Sequence, residues 1–572
     1  MTVGSAGPTE ARVVSFPGDG NSTLRCDGSS DARGVTSNTT AARWVWPASS
    51  LFGVLVYFFS LDGLYIPHIG DEAPYIEITR LTAESDSLLP LKTGAGLENT
   101  KPPLLYWLGI LATGWGSKWT LFRLRAPILA FTLLTAALTF WLARKLELGR
   151  EVSWLSALTF LGFYSSFQYG RPFLLNSPET FFVFLSFALF LLRASPIASG
   201  LALGVACLFK SFALAAPVGL ALAWSGGRKR FPHAAGIVAL ALALFALWPL
   251  LDPDPAAVFR HFVLEENFGK LRGSGYVTGL FSGPYALHWL WLGHFGNAGL
   301  FAVPLLFLVI TTIRERKRLS PEEKSLWILV LSFLIVYSIP SQRQENYLIP
   351  TVPALSILIA RRWNDLPDSW LRGSVVPGAF FAGALLWVLL GIRGLVLPPG
   401  SYAFWQLAVP VLVLVSWILL LWIPRAARRS FHAMVFASFL LLSIAVAPFE
   451  GPLGRYPPRR ISFLKGKRVF VPSEFISRYE RHRFLLPGAR IEGYDPAAVD
   501  SVSRLLSSGQ HVIVYRPPGG GIDGPFRVIG RRFDLRSRQT MDEMWRIFYH
   551  RELDLLVRQE LVVRRHRRDR MD

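Results

Sequence analysis

Two cysteines in 572 residues cannot build a disulfide scaffold. They also sit in unlike surroundings, Cys26 in a polar stretch and Cys207 inside an apolar run, so no pairing between them is expected. Charge is scarce too. Asp, Glu, Lys and Arg make up 17% of the chain, where soluble domains carry about 25%. So few charges cannot coat several soluble globules, which excludes a soluble multidomain enzyme. Ahead of Trp44 there is no apolar core flanked by a small-residue cleavage site, so no cleaved signal peptide is expected. What fills the chain instead is hydrophobic sequence at 51%, with 42 Phe, 19 Trp and 16 Tyr. Bulky and interfacial aromatics in such numbers belong to bilayer-spanning proteins.

Acidic residues are the rarer charge, 39 against 60 basic ones, a net +21. About half of that excess follows Gly451, and much of the rest lies in short clusters between apolar runs. Bilayer orientation accounts for such clusters better than a nucleic-acid stripe does, and no nucleic-acid partner is expected. Membrane lipids are. The run RRHRRDR at 564–570 reads as a solvated tail or a contact for anionic headgroups.

The fold class expected is an all-α polytopic membrane protein with a small C-terminal α/β soluble domain. Residues 1–43 are rich in Ser, Thr, Gly and Asn and read as a disordered cytoplasmic tail. Between 44 and 450 the apolar runs predict about thirteen spans, near 44–66, 126–143, 151–170, 178–193, 198–209, 212–225, 233–251, 293–313, 325–339, 347–360, 374–396, 402–424 and 432–449. The two runs flanking Lys210 read either as one long helix or as two short ones. Basic clusters at 144–150, 228–230, 314–318, 361–362 and 425–429 all fall on one side, which the positive-inside rule makes cytoplasmic. Long loops at 67–125 and 252–292 and the soluble domain at 451–572 then lie outside. In that domain RVFVP and HVIVY read as strands, and the glycines at 519–521 as a hairpin turn.

Chemistry is expected at the outer ends of the spans. Asp71 and Glu72 follow the first span, where a carboxylate is either solvated or a general base able to take a proton from an acceptor hydroxyl. In NTKPPLLYW at 99–107 the prolines fix an extended entry to a helix, and Lys101 is placed to face a phosphate. Histidines at 68, 261, 288 and 294 lie in or near the loops, but no pair has diagnostic metal spacing. No cofactor is required by this reading; a divalent metal stays open without support.

The order DEAPYIEITR, KPPLLYW, FRLRAPILAFT resembles the first outer loop of the ArnT-like glycosyltransferases, within the GT-C membrane enzymes that also include protein O-mannosyltransferases. GLALGVACLFKSFALAAP at 200–217, ENFGKLR at 266–272 and PSQRQENYLIPTVPALSILIA at 340–360 extend the resemblance over roughly 60–360. It implies inverting transfer of one sugar from a polyprenyl-phosphate carrier to a lipid, glycan or protein acceptor at the periplasmic face of a bacterial inner membrane. It also implies Asp71 as the base, with Glu72 and Glu179 as further catalytic acids. Tyr75, Lys101, Asn176, Lys210, Lys270, Arg343 and Tyr347 would bind substrate. Three positions depart from the family pattern: Pro74 stands for an Arg, Thr100 for a Glu, and Asn176 for an Asp, with Glu179 one helical turn on. Protein O-mannosylation is the alternative enzyme reading. A transporter or flippase of lipid-linked saccharides is the alternative of another class. The clustering of charges at outer span ends and the absence of an internal repeat favour the enzyme.

Overall fold

The computed structural model describes residues 39–63, 71–94, 101–269, 276–393, 404–446, 456, 458–473, 478–498, 501–516, 526–533, 541–552, 555 and 557–563. The chain divides into two compact units, Met1–Trp44 and Val45–Asp572, and of the first only the opening of a helix is described. The glycines at 519–521, the basic run at 564–570 and His68 lie outside the described residues.

Apolar runs become helices: α1 (Thr39–Phe58), α2 (Glu72–Glu84), α3 (Leu104–Ala112), α4 (Leu121–Lys145), α5 (Gly149–Gly162), α6 (Tyr164–Tyr169), α7 (Asn176–Leu191), α8 (Pro196–Phe209) and α9 (Ala215–Leu251). Further apolar helices cover Leu287–Ala298, Ala302–Arg314, Pro321–Tyr337, Val352–Arg361, Asp368–Arg393, Phe404–Trp422 and Pro424–Val446. Each expected span overlaps at least one of these helices; α9 serves two spans, and the span at 151–170 takes in both α5 and α6. Among the described residues five stretches are each long and apolar enough to cross a bilayer: Leu121–Lys145, Phe212–Leu251, Leu287–Arg314, Asp368–Gly391 and Phe404–Trp422.

Local chemistry sets the helix ends. The Thr120 hydroxyl accepts from the Arg123 N–H to open α4, and Arg144 and Lys145 close it where unpaired carbonyls favour cations. Ser320 and Glu323 cap each other's backbone at the start of Pro321–Tyr337, with Pro321 in the first turn.

Two breaks matter most. Inside α9, Gly227 has φ +60, a conformation that favours glycine, and the chain reverses there. A Cβ on Gly219 would lie 2.9 Å from Val238, so the two arms run side by side. The second break, at Lys210 and Ser211, answers the question left by the sequence: α8 stops, a 3-10 turn Phe212–Leu214 follows, and α9 begins. Packing of α8 on the returning arm is close. Cβ atoms on Gly200 and Gly204 would each lie 2.8 Å from Leu240 and Leu244 respectively.

Basic clusters collect at one end of the bundle. Arg361 and Arg362 pair with Glu323, Arg362 also with Glu315, and Arg428 donates to the carbonyls of Trp363 and Leu366. Arg230, at the α9 bend, donates to the Phe190 carbonyl at the end of α7. At the other end lie the starts of α7 and α9 and the end of α8. In the second long loop a short α-turn, Pro255–Val258, runs into wider π-helical turns over Phe259–Phe268.

Beyond Pro424–Val446 the chain forms a five-stranded sheet of order β2-β1-β3-β5-β4, interleaved with short helices, from β1 (Arg468–Pro472), β2 (Arg490–Tyr494), β3 (His511–Arg516), β4 (Phe526–Phe533) and β5 (Val557–Val563). β1 lies parallel to β2 and β3, and β5 antiparallel to β3 and β4. Val469, Val471, Ile491 and Ile513 share one apolar core with Tyr75, Ile76, Leu105 and Tyr106 of α2 and α3. The sheet module therefore packs directly on the loop helices that carry Asp71 and Lys101 at their starts.

Candidate active site

Where the two long loops meet the helix ends there is a cavity of about 730 Å³. Asp71, Tyr75, Lys101, Asn176, Lys210 and Tyr347 all line it. One wall is apolar, with Phe212, Leu242, Phe262, Phe268, Val336 and Ile339.

Asp71 is the residue from which α2 starts, and its side chain does not cap that helix. Its carboxylate is exposed to the cavity and has no hydrogen-bond or ion-pair partner among the described residues. Tyr75, one turn on, is buried with its ring edge-on to Tyr106. Burial, and then the negative charge of Asp71, push the Tyr75 phenol well above its ordinary value, so it stays an O–H donor.

Both cavity lysines are held by carboxylates. Lys101 Nζ lies 2.6 Å from Glu266 of the second loop. Lys210 Nζ lies 3.0 and 2.8 Å from the two oxygens of Glu179, whose side chain is wholly buried. The same ammonium sits 5.2 Å from the centre of the Tyr347 ring, a cation–π distance. It reaches these partners because α8 ends at Phe209 and turns Lys210 out of the helix row. Asn176, at the start of α7, lines the cavity one turn before Glu179.

Two expectations need correcting. Glu72 does not line this cavity. Its carboxylate is buried and accepts from Arg125 Nε at 2.7 Å, Arg125 Nη2 at 2.8 Å and the Phe173 N–H at 2.8 Å. Arg125 also donates to the carbonyls of Leu61 and Gly63, so the pair ties the end of α1, the starts of α2 and α4, and the segment before α7. A carboxylate so fully engaged is not placed to take a substrate proton. Arg343 is also turned away: it is buried, donating to the carbonyls of Ser338, Gly279 and Tyr285, and lies off the cavity lining. Lys270 lies outside the described residues.

Sequence reasoning missed Arg125, which holds Glu72, and it missed Glu266 and the amides of Gln342, Gln344 and Asn346, which line the cavity. Arg125 and Glu266 stand within FRLRAPILAFT and ENFGKLR, where a charge beside apolar sequence was the available signal. Among the described residues no three His, Cys, Asp or Glu side chains are grouped to hold a metal ion. His261 is paired with Glu265, and His294 is buried.

Residues 68–247 match the profile of the dolichyl-phosphate-mannose-protein mannosyltransferase family. An undecaprenyl phosphate-alpha-4-amino-4-deoxy-L-arabinose arabinosyl transferase of Sodalis glossinidius is 27% identical over 467 residues, 75% of this chain and 78% of its own length. Its counterpart from Yersinia enterocolitica is 29% identical over 352 residues, 58% of this chain and 61% of its own. The fold matches the crystal structure of ArnT from Cupriavidus metallidurans bound to undecaprenyl phosphate, with a TM-score of 0.64 at 18% identity, over 91% of this chain and 98% of that one. The chain is an ArnT-like, multi-pass membrane glycosyltransferase of the GT-C type.

Proposed function

We propose that this protein transfers one sugar from a polyprenyl-phosphate carrier to a hydroxyl or phosphate oxygen of a lipid or glycan acceptor, with inversion. It would act at the periplasmic face of a bacterial inner membrane, with the amino terminus cytoplasmic and residues 451–572 outside. The observation that carries the reading is the company Asp71 keeps: an unpartnered carboxylate shares one cavity with two lysines and an apolar wall. The relatives whose names specify undecaprenyl phosphate support the carrier class.

The chemistry follows from that arrangement. Asp71 takes the proton of the acceptor O–H as its oxygen attacks the anomeric carbon. The bond from that carbon to the phosphate oxygen breaks, and the carrier leaves as a phosphate monoester carrying one more negative charge. Lys101 and Lys210 are the cavity cations able to stabilise that charge as it develops. The isoprenoid next to the phosphate would lie along Phe212, Leu242 and Phe262. Glu179 holds Lys210, taking the part that Asn176 cannot, and Glu72 acts only by holding α2 in place. Mass spectrometry of lipids and glycans from a strain lacking this gene tests the reading. A missing sugar on one lipid or glycan, with the charged carrier accumulating, is expected; an unchanged profile contradicts it.

A further inference from the structure

Four amides face the cavity with nothing to bond. Asn176, Gln342, Gln344 and Asn346 line it, and their side chains have no partner among the described residues. Asn346 Oδ1 is buried and accepts no hydrogen bond. Three of the four come from one short segment whose geometry explains them. Gln344 is extended (φ −122, ψ 142), and in extended chain alternate residues share a face. Gln342 and Gln344 therefore face the cavity while Arg343 between them points away. The three carbonyls that Arg343 holds, those of Ser338, Gly279 and Tyr285, pin the segment in that orientation. Asn346 follows in the first turn of the 3-10 helix Glu345–Thr351.

We propose that these amides read the sugar carried by the donor, and that this sugar is neutral and rich in hydroxyls. The inference rests on the transferase reading above. Each amide offers both a donor and an acceptor without net charge, which complements a hydroxyl doing the same. Buried amide atoms left unpaired are costly, so the site favours a ligand that satisfies them over one that does not. Charge is already spoken for. Glu266 and Glu179 hold Lys101 and Lys210, so a sugar ammonium would have to displace a lysine or neutralise Asp71. A uronate would meet the Asp71 charge directly. Arg343 is on this view a positioning residue for the amide strip.

The test uses the purified full-length protein in nanodiscs, with membrane lipids from a strain lacking this gene as acceptor and release of polyprenyl phosphate as readout. Three donors are compared: polyprenyl phosphate carrying glucose, a 4-amino-4-deoxypentose, or glucuronic acid. The neutral donor is expected to have the highest kcat/KM, by about tenfold or more. Gln342→Ala and Gln344→Ala should each raise its KM between about three- and tenfold with an unchanged melting temperature. Gln344→Glu should swing preference toward the amino sugar, which a merely structural residue would not do. Wild-type preference for the amino sugar or the uronate, or selectivity untouched by all three variants, would overturn the inference and leave the transferase reading standing. Release from none of the three donors would overturn that reading and the inference with it.

Discussion

The ammonium of Lys210 lies 2.8 and 3.0 Å from the two carboxylate oxygens of Glu179, a side chain with no solvent exposure. Residues 31 apart in sequence meet because α8 breaks at Lys210 just where α7 begins. Removing one partner strands the other. Lys210→Met should destabilise the protein by about 3–5 kcal/mol, and the double variant Glu179→Gln/Lys210→Met should recover most of that. Thermal unfolding of the three variants checks the cycle. Glu179→Gln alone should also be nearly inactive, and adding Asn176→Asp should restore part of the transfer, since Asn176 lines the same cavity as Lys210.

Glu72 and Arg125 separate structure from chemistry. Both are buried and joined by two hydrogen bonds, so Glu72→Gln should cost about 3–5 kcal/mol of stability. Turnover per folded molecule, measured below the melting range, should stay within a few-fold of wild type. A loss of about a hundredfold or more without destabilisation would return Glu72 to the catalytic machinery.

The sheet module is clamped to α2. Arg80 reaches Glu480 with two nitrogens, at 3.2 and 2.7 Å, and Arg483 adds a third bond to the same carboxylate; Tyr479 donates to Glu77 alongside. Arg80→Ala should cost about 1–3 kcal/mol. Limited proteolysis should then release the module sooner, with kcat falling because α2 starts at Asp71. Unchanged proteolysis would deny the clamp.

Helix polarity predicts topology. The basic clusters share the end of the bundle opposite the cavity, so an alkaline phosphatase fused after Asp572 should be active in the periplasm. A fluorophore that matures only in the cytosol should be dark there. The reverse pattern would invert the orientation.

The helices were legible because apolar runs and basic clusters are long-range patterns that a single chain displays. Glu179 could be matched to Lys210 from the same map, since a carboxylate in apolar sequence needs a cation. RVFVP and HVIVY declared β1 and β3 by their β-branched content; RIEGY and FRVIGRRF, with glycines and charges, did not. Arg343 misled, because a basic residue beside a cavity segment looks like a phosphate ligand until the extended chain turns it outward. The amides on either side of it carry no charge and no period of their own, so only the folded segment reveals them. Glu72 and Asp71 are adjacent and chemically alike. Which one faces the cavity depends on Arg125, 53 residues on, whose side chain claims Glu72.

That division between neighbours is the centre of the account, and turnover of Asp71→Asn tests it most directly. The variant keeps the shape of the side chain and removes only its ability to hold a proton. With polyprenyl-phosphate donor and lipid acceptor, its rate should fall about 10²–10⁴-fold while the melting temperature and donor binding stay near wild type. Wild-type turnover in Asp71→Asn would contradict the account.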